Sequence, residues 1–283
     1  MKQRLLTAVI GVSVAVAWLF TMYTPFFAVI MAFFAVTAAY ELLKVFEVKN
    51  IPYKVLCMVF SAAVMLYADW KYKFNVPVFP VITGVVIISL VIMVLDFRKL
   101  KFEQLACSLF ASSAVAAALS CVVLFRDVHI AFPDKFGKKD GIFFLLFAFF
   151  CSWITDGCAL FAGMALGKHK LAPEISPKKT IEGAVGGVIG NAVFCTALYF
   201  VFKLKFELSA AVTLPFVIIT ALVLSVLSIF GDLAASTIKR HHGIKDFGNL
   251  LPGHGGVMDR FDSCVFVFPV LYGAIILLAA FQR

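Results

Sequence analysis

Asp259 and Asp262 stand three residues apart in "MDRFD", a spacing that sets both carboxylates on one face of a helical turn. Upstream, "GDLAASTIKR" places Asp232, Ser236, Lys239 and Arg240 at i, i+4, i+7 and i+8. If the helix continues through that stretch, they too share a face. Between the two lie Lys245, Asp246 and "LPGHGG", where Pro252 and three glycines exclude helix and let the backbone approach a ligand closely. Ser236 to Asp262 holds four basic residues, three carboxylates, three histidines and five glycines in 27 positions. Grouped carboxylates suit a hard divalent cation, and magnesium in particular binds through one or two carboxylates plus water and substrate phosphates. Lysine and arginine beside them suit phosphate oxygens, and glycine-turn N–H groups add anion donors. The chemistry these parts could perform is metal-assisted phosphoryl or nucleotidyl transfer. A loop that merely orients a membrane protein would be purely basic, and would have no use for Asp232, Asp246, Asp259 and Asp262.

A second polar block, "GKHKLAPEISPKKTIEG" (167–183), carries four lysines, one histidine and two prolines. Pro173 and Pro177 break helix, so a rigid turn is expected. The block is not a Walker loop: Ala162 stands where the first glycine belongs, and His169 follows Lys168. "SPKKT" instead reads as a triphosphate-binding turn. Asp156 lies inside the apolar run "FFCSWITDGCALFAGM". A charge at that depth costs about 2.5–3.5 kcal/mol on insertion scales and so faces a cavity, a partner or an ion. His241 and His242 read as surface residues, and His254, held in the glycine turn, as the functional histidine.

The elements that must position these groups are membrane helices. Of 283 residues, 63% are apolar and 14% charged, with the charges gathered between long apolar stretches. About 20 apolar residues span a bilayer as a helix, and nine such runs occur, at 5–23, 25–41, 55–69, 76–95, 105–125, 141–166, 183–202, 210–231 and 263–281. The expected fold is therefore an all-α polytopic bundle of about nine transmembrane helices. A spanning β-barrel would show short alternating segments instead, and none occurs. The run after "MKQR" lacks a small-residue cleavage site and reads as the first span. The seven cysteines lie in or beside apolar runs without any CxxC pair, which argues against a disulfide framework or a zinc site. With the N-terminus inside, 16 of the 25 lysines and arginines fall on the inner side, so the positive-inside rule favours N-in. The loops at 167–182 and 232–262 then share the cytoplasmic side, where nucleotides and lipid headgroups are within reach.

At these residues the chain resembles the phosphatidate cytidylyltransferase family, the CDP-diacylglycerol synthases. The family signature S-x-x-K-R-x4-K-D-x-G…H-G-G-x-x-D-R-x-D is matched at Ser236, Lys239, Arg240, Lys245, Asp246, Gly248, His254, Gly255, Gly256, Asp259, Arg260 and Asp262. The block 167–183 is similar to the family's second characteristic segment. One departure occurs: the family commonly has Asp-[Ser/Thr]-[Gly/Ala]-Ala-Tyr in the sixth span, whereas Asp156 is followed here by Gly157, Cys158, Ala159 and Leu160.

The resemblance implies one domain over 1–283, with N-terminal spans in 1–140 and catalytic spans and loops in 141–283. It implies transfer of CMP from CTP to phosphatidic acid, giving CDP-diacylglycerol and pyrophosphate. Magnesium is assigned to Asp259 and Asp262, with Asp232 and Asp246 completing the acidic cluster, and a monovalent cation such as potassium could share it. Lys239, Arg240, Lys245 and Arg260 would grip phosphates, with Asp246 and His254 in the catalytic set. Ser176, Lys178, Lys179 and Thr180 would hold the nucleotide, with Ser236, Gly255, Gly256 and Asp156 also facing substrate. CTP, phosphatidic acid and membrane lipids are the expected partners, nucleic acid is not, and a homodimer is left open. The expected location is the bacterial inner membrane, with the active site facing the cytoplasm. Two alternatives stay open: a sister enzyme acting on another lipid phosphate, and an ion-coupled transporter using Asp156 and Asp232. The CDP-alcohol phosphatidyltransferases are excluded, because Leu160 and Phe161 replace the Ala-Arg that their motif requires.

Overall fold

The computed structural model describes residues 17–72, 74, 77–250 and 255–281. Eight of its helices are long and apolar enough to cross a membrane. The chain is thus a polytopic all-α integral membrane protein, with one short β-hairpin added. The expected span at 5–23 lies for the most part outside the described residues. The other eight each coincide with an expected run. The chain divides into two compact units, Met1–Val123 with His242–Arg260, and Leu124–His241 with Phe261–Arg283.

The first unit contains α1 (Pro25–Val45), α2 (Ile51–Trp70), α3 (Val78–Leu95) and nearly all of α4 (Phe102–Arg126). The α1–α2 connection is short because both ends are capped. Glu47 adopts φ 51°, and Val48 N–H reaches back to Leu43 O at 3.1 Å. Asn50 then accepts Tyr53 N–H at 2.8 Å to start α2, and its amide donates to Asp96 at 3.0 Å. The buried Tyr53 hydroxyl donates to Leu105 O at 2.9 Å, within a core that includes Leu43, Val48, Cys57 and Leu100. By contrast, α3 fully buries Ser89 alone and leaves most of its valines and isoleucines exposed, as a lipid-facing helix can, while Ile92 packs against that core.

The second unit holds α5 (Val128–Ala131), α6 (Lys138–Phe149), a π-helical turn (Phe150–Ile154) and α7 (Thr155–Leu166). The hairpin β1 (Lys170–Ala172) and β2 (Ser176–Thr180) follows, then α8 (Ile181–Lys205), α9 (Leu214–His241) and α11 (Cys264–Phe281). The short α10 (Met258–Phe261) precedes α11. Helices α7 and α8 pack closely because small residues face each other. At Gly187 an added Cβ would lie 2.8 Å from Thr155 O and 2.9 Å from Ala159 Cβ. Buried Asn191 donates to Ser225 Oγ at 2.8 Å, fastening α8 to α9. The carbonyl of Ser152, inside the π turn, accepts Ser228 Oγ at 3.2 Å, a second polar tie to α9.

Candidate active site

The helix of the eighth expected span does continue: α9 runs to His241, past the apolar run that ends near 231. Its polar face, however, is divided. Ser236 and Lys239 are buried and Asp232 is half-buried, whereas Arg240 is exposed and turns to the hairpin, where its Nε donates to Ile175 O at 3.3 Å.

The lysine-rich block is an antiparallel hairpin, with Ala172 paired to Ser176 and Lys170 to Thr180. Pro173 opens its turn, and Pro177 is tolerated in β2 because a two-stranded ribbon has free edges. Thr180 is spent structurally, its Oγ1 accepting Gly183 N–H at 3.1 Å as the N-cap of α8. Lys178 is exposed, whereas Lys179 forms an ion pair with the half-buried Asp232 and is itself half-buried. The two polar blocks therefore meet within the second unit, joined by Lys179–Asp232 and Arg240–Ile175.

Asp262 is buried just ahead of α11, its Oδ1 accepting Ser263 N–H at 2.8 Å. The Ser263 hydroxyl donates to Asp156 Oδ2 at 3.4 Å. Burial pushes the Asp262 carboxyl up to about 7, the negative charge of Asp232 adds to the rise, and Lys239 opposes it. Asp156 contributes in the same upward sense. Three carboxylates on α7, α9 and the start of α11 thus share one electrostatic neighbourhood with Lys239 and Lys179. Asp156 belongs with the acidic set more than its apolar flanks suggested. It enters α7 directly after the π turn, a distortion frequent at functional sites.

In the first unit, the signature turn builds its own polar core. Asp259 Oδ2 accepts Phe247 N–H at 2.8 Å and Gly256 N–H at 3.0 Å, while Gly255 takes φ 81° beside it. Lys245, Asp246 and Arg260 are exposed there. His254 lies outside the described residues.

Two carboxylates were not anticipated. Glu182 accepts Lys168 N–H at 3.0 Å and His169 N–H at 3.2 Å, and its Oε1 lies 2.6 Å from the His169 ring nitrogen, closing the hairpin base. Glu41, buried at the end of α1, accepts Val257 N–H at 3.0 Å and Met258 N–H at 2.8 Å. A lone acid within "AVTAAYELLK" was the available signal, but it stands at the edge of an apolar run, where polar residues are ordinary.

Among the described residues, no three histidine, cysteine or acidic side chains converge tightly enough to enclose a metal ion. A pair of carboxylates nevertheless fits magnesium, which takes one or two from protein and completes its shell with water and phosphate oxygens. Burial lifts Asp262 most, and the added repulsion from Asp232 is the part that a bound cation would relieve.

A model of the cytidylyltransferase family matches residues 2–278. The chain is similar to the phosphatidate cytidylyltransferase of Bacillus subtilis (strain 168), with 34% identity over 285 residues covering 96% of each chain. It is equally similar to that of Staphylococcus haemolyticus (strain JCSC1435), 34% identical over 278 residues, covering 96% of this chain and 97% of the relative. The phosphatidate cytidylyltransferase of Staphylococcus aureus (strain COL) is 38% identical over 182 residues, 64% of this chain and 66% of that one.

Proposed function

The chain belongs to the cytidylyltransferase family, and on that premise we propose that it is a phosphatidate cytidylyltransferase. An oxygen of the lipid phosphate attacks the α-phosphorus of CTP in line. A new P–O bond forms, the α–β bridging bond breaks, and pyrophosphate departs, leaving CDP-diacylglycerol. The nucleophile is already an anion, so no strong base is needed. The barrier lies in bringing two polyanions together and neutralising the leaving group, which is work for positioning and charge.

The observation that carries this reading is the neighbourhood of Asp156, Asp232 and Asp262 with Lys179 and Lys239. Asp232 and Asp262 are the proposed magnesium ligands in the second unit, with Asp156 beside them. Asp259 and Asp246 keep that role on the strength of the family resemblance, and potassium is the proposed monovalent partner ion. Magnesium, when bound, supplies charge neutralisation for the phosphates. Lys179 would move between Asp232 and a nucleotide phosphate, because an ammonium on a flexible stem can exchange one anion for another. Lys239 faces this acidic neighbourhood from α9 and Arg240 lies exposed against the hairpin, and each would hold lipid or CTP phosphate from its own side. Lys178 and Ser176 present the outer face of the hairpin. His254, Gly255, Gly256, Lys245 and Arg260 retain their expected contacts with substrate.

The lipid tails of the acceptor need never leave the bilayer, which gives the membrane fold its purpose. The proposed site faces the cytoplasm, where CTP is available. That orientation is supported by the positive-inside count.

The test is direct. Purified protein given α-labelled CTP and phosphatidic acid should form a labelled, solvent-extractable lipid when magnesium is supplied, and none when it is chelated. No labelled lipid under any metal condition overturns the reading. Ion flux through liposomes without CTP would favour the transporter alternative.

A further inference from the structure

Glu41 sits one turn before the end of α1 and is 4% exposed. A carboxylate there opposes the helix dipole and loses its hydration, so its position needs compensation from elsewhere. The compensation comes from residues more than two hundred positions later. Oε1 accepts Val257 N–H at 3.0 Å, and Oε2 accepts Met258 N–H at 2.8 Å. These are the amides that open α10, the turn carrying Asp259 and Arg260.

Two of the signature's three glycines are explained by the same carboxylate. A Cβ at Gly248 would overlap Glu41 Oε1, and so would a Cβ at Gly256. Neither residue has a positive φ, so close approach and not backbone freedom is what demands glycine at these two positions. The turn is also held by Asp259, through Phe247 N–H and Gly256 N–H. Two carboxylates therefore pin the segment, one from within the signature and one from α1.

We infer that Glu41 is a positioning residue for the signature turn: through Val257 and Met258 it sets where Asp259 and Arg260 point. Its bonds to two N–H donors are charge-assisted and divided between two oxygens, a load that an amide side chain cannot carry. The effect on rate rests on the proposed cytidylyl transfer, because misplacing a site group by a fraction of an ångström is felt in kcat.

The test uses the full-length protein in detergent or liposomes. Glu41→Gln should lower kcat by about tenfold or more while changing KM for phosphatidic acid by less than about twofold. It should also speed hydrogen exchange at the amides of Gly256, Val257 and Met258, leaving the hairpin Lys170–Thr180 unchanged. A purely global loss of stability would speed exchange in both places and overturn the inference. A second arm reads the glycine contact. Gly256→Ala should cost about tenfold in kcat with Glu41 present, but less than about twofold when added to Glu41→Ala. Equal losses in both backgrounds, or wild-type kcat and exchange in Glu41→Gln, overturn the inference. If Glu41→Gln does not accumulate, Gly256→Ala carries the exchange measurement, since its methyl displaces the same carboxylate. If the wild type makes no CDP-lipid, the transfer reading falls and the exchange arm alone decides on Glu41.

Discussion

The ammonium of Lys179, on β2 of the hairpin, is paired with the carboxylate of Asp232, on α9, and both side chains are half-buried. The contact joins two polar blocks more than fifty residues apart in the chain. It also leaves a cation poised beside an acidic neighbourhood that has negative charge to spare.

Lys179→Met should lower kcat/KM for CTP about a hundredfold, the usual consequence of stranding one member of a partly desolvated charge pair. The swapped pair Lys179→Asp with Asp232→Lys should restore folding and leave activity lost, because the proposed metal ligand is then gone. Steady-state kinetics on both variants, alongside detergent melting curves, checks this. Restored turnover in the swap would make the pair merely structural.

Asp262→Asn should separate stability from function. The carboxyl is buried near Asp232 and Asp156, with the Ser263 N–H and Lys239 opposing only part of that cost, so neutralising it should raise Tm in magnesium-free buffer by about 2–4 °C. Magnesium-dependent turnover should fall at least about a thousandfold. A drop in Tm with activity retained would contradict both halves.

The pH dependence follows from the same residue. Its folded-state pKa of about 7 lies above the ordinary carboxylate value near ~4. A raised carboxyl favours the folded state when protonated, so the metal-free protein gains most from this group below about pH 4. It loses that margin as pH rises toward 7, and the loss levels off above it. Magnesium must displace the proton, so its apparent affinity should weaken about fivefold between pH 7 and pH 6. Activity titrated with magnesium at pH 6, 7 and 8 measures this directly. Identical half-saturation at all three values would exclude Asp262 as a ligand.

Asn191→Ala should act on the fold alone. Its amide bonds Ser225 Oγ at 2.8 Å between α8 and α9, away from the acidic neighbourhood. An interhelical bond of this kind contributes about 1 kcal/mol in a membrane protein. A modest fall in melting temperature is therefore expected, with kcat within about twofold of wild type, and a large kinetic defect would place this contact in the catalytic path.

The spans were legible in the sequence because membrane insertion is judged segment by segment. Each stretch of about 20 residues must satisfy its own backbone and match the hydrocarbon by itself. The extension of α9 through Lys239 was readable for the same local reason, from the i, i+4, i+7 spacing of Asp232, Ser236 and Lys239. The signature residues and the family followed from types at fixed offsets.

Partnership across the chain was a matter for tertiary structure. Periodicity could not show that Thr180 caps α8, that Arg240 turns away from Lys239 to the hairpin, or that Asp156 enters after a π turn beside Asp262. Nor could it show why Gly248 and Gly256 must be glycine. Their reason is a carboxylate at position 41, and a Cβ clash with it exists only once α1 lies against the turn. Local sequence determined which segments cross the bilayer and which residues could do chemistry. Packing decided which charges meet, because burial and proximity, on which a carboxylate's role depends, are properties of neighbours distant in the chain.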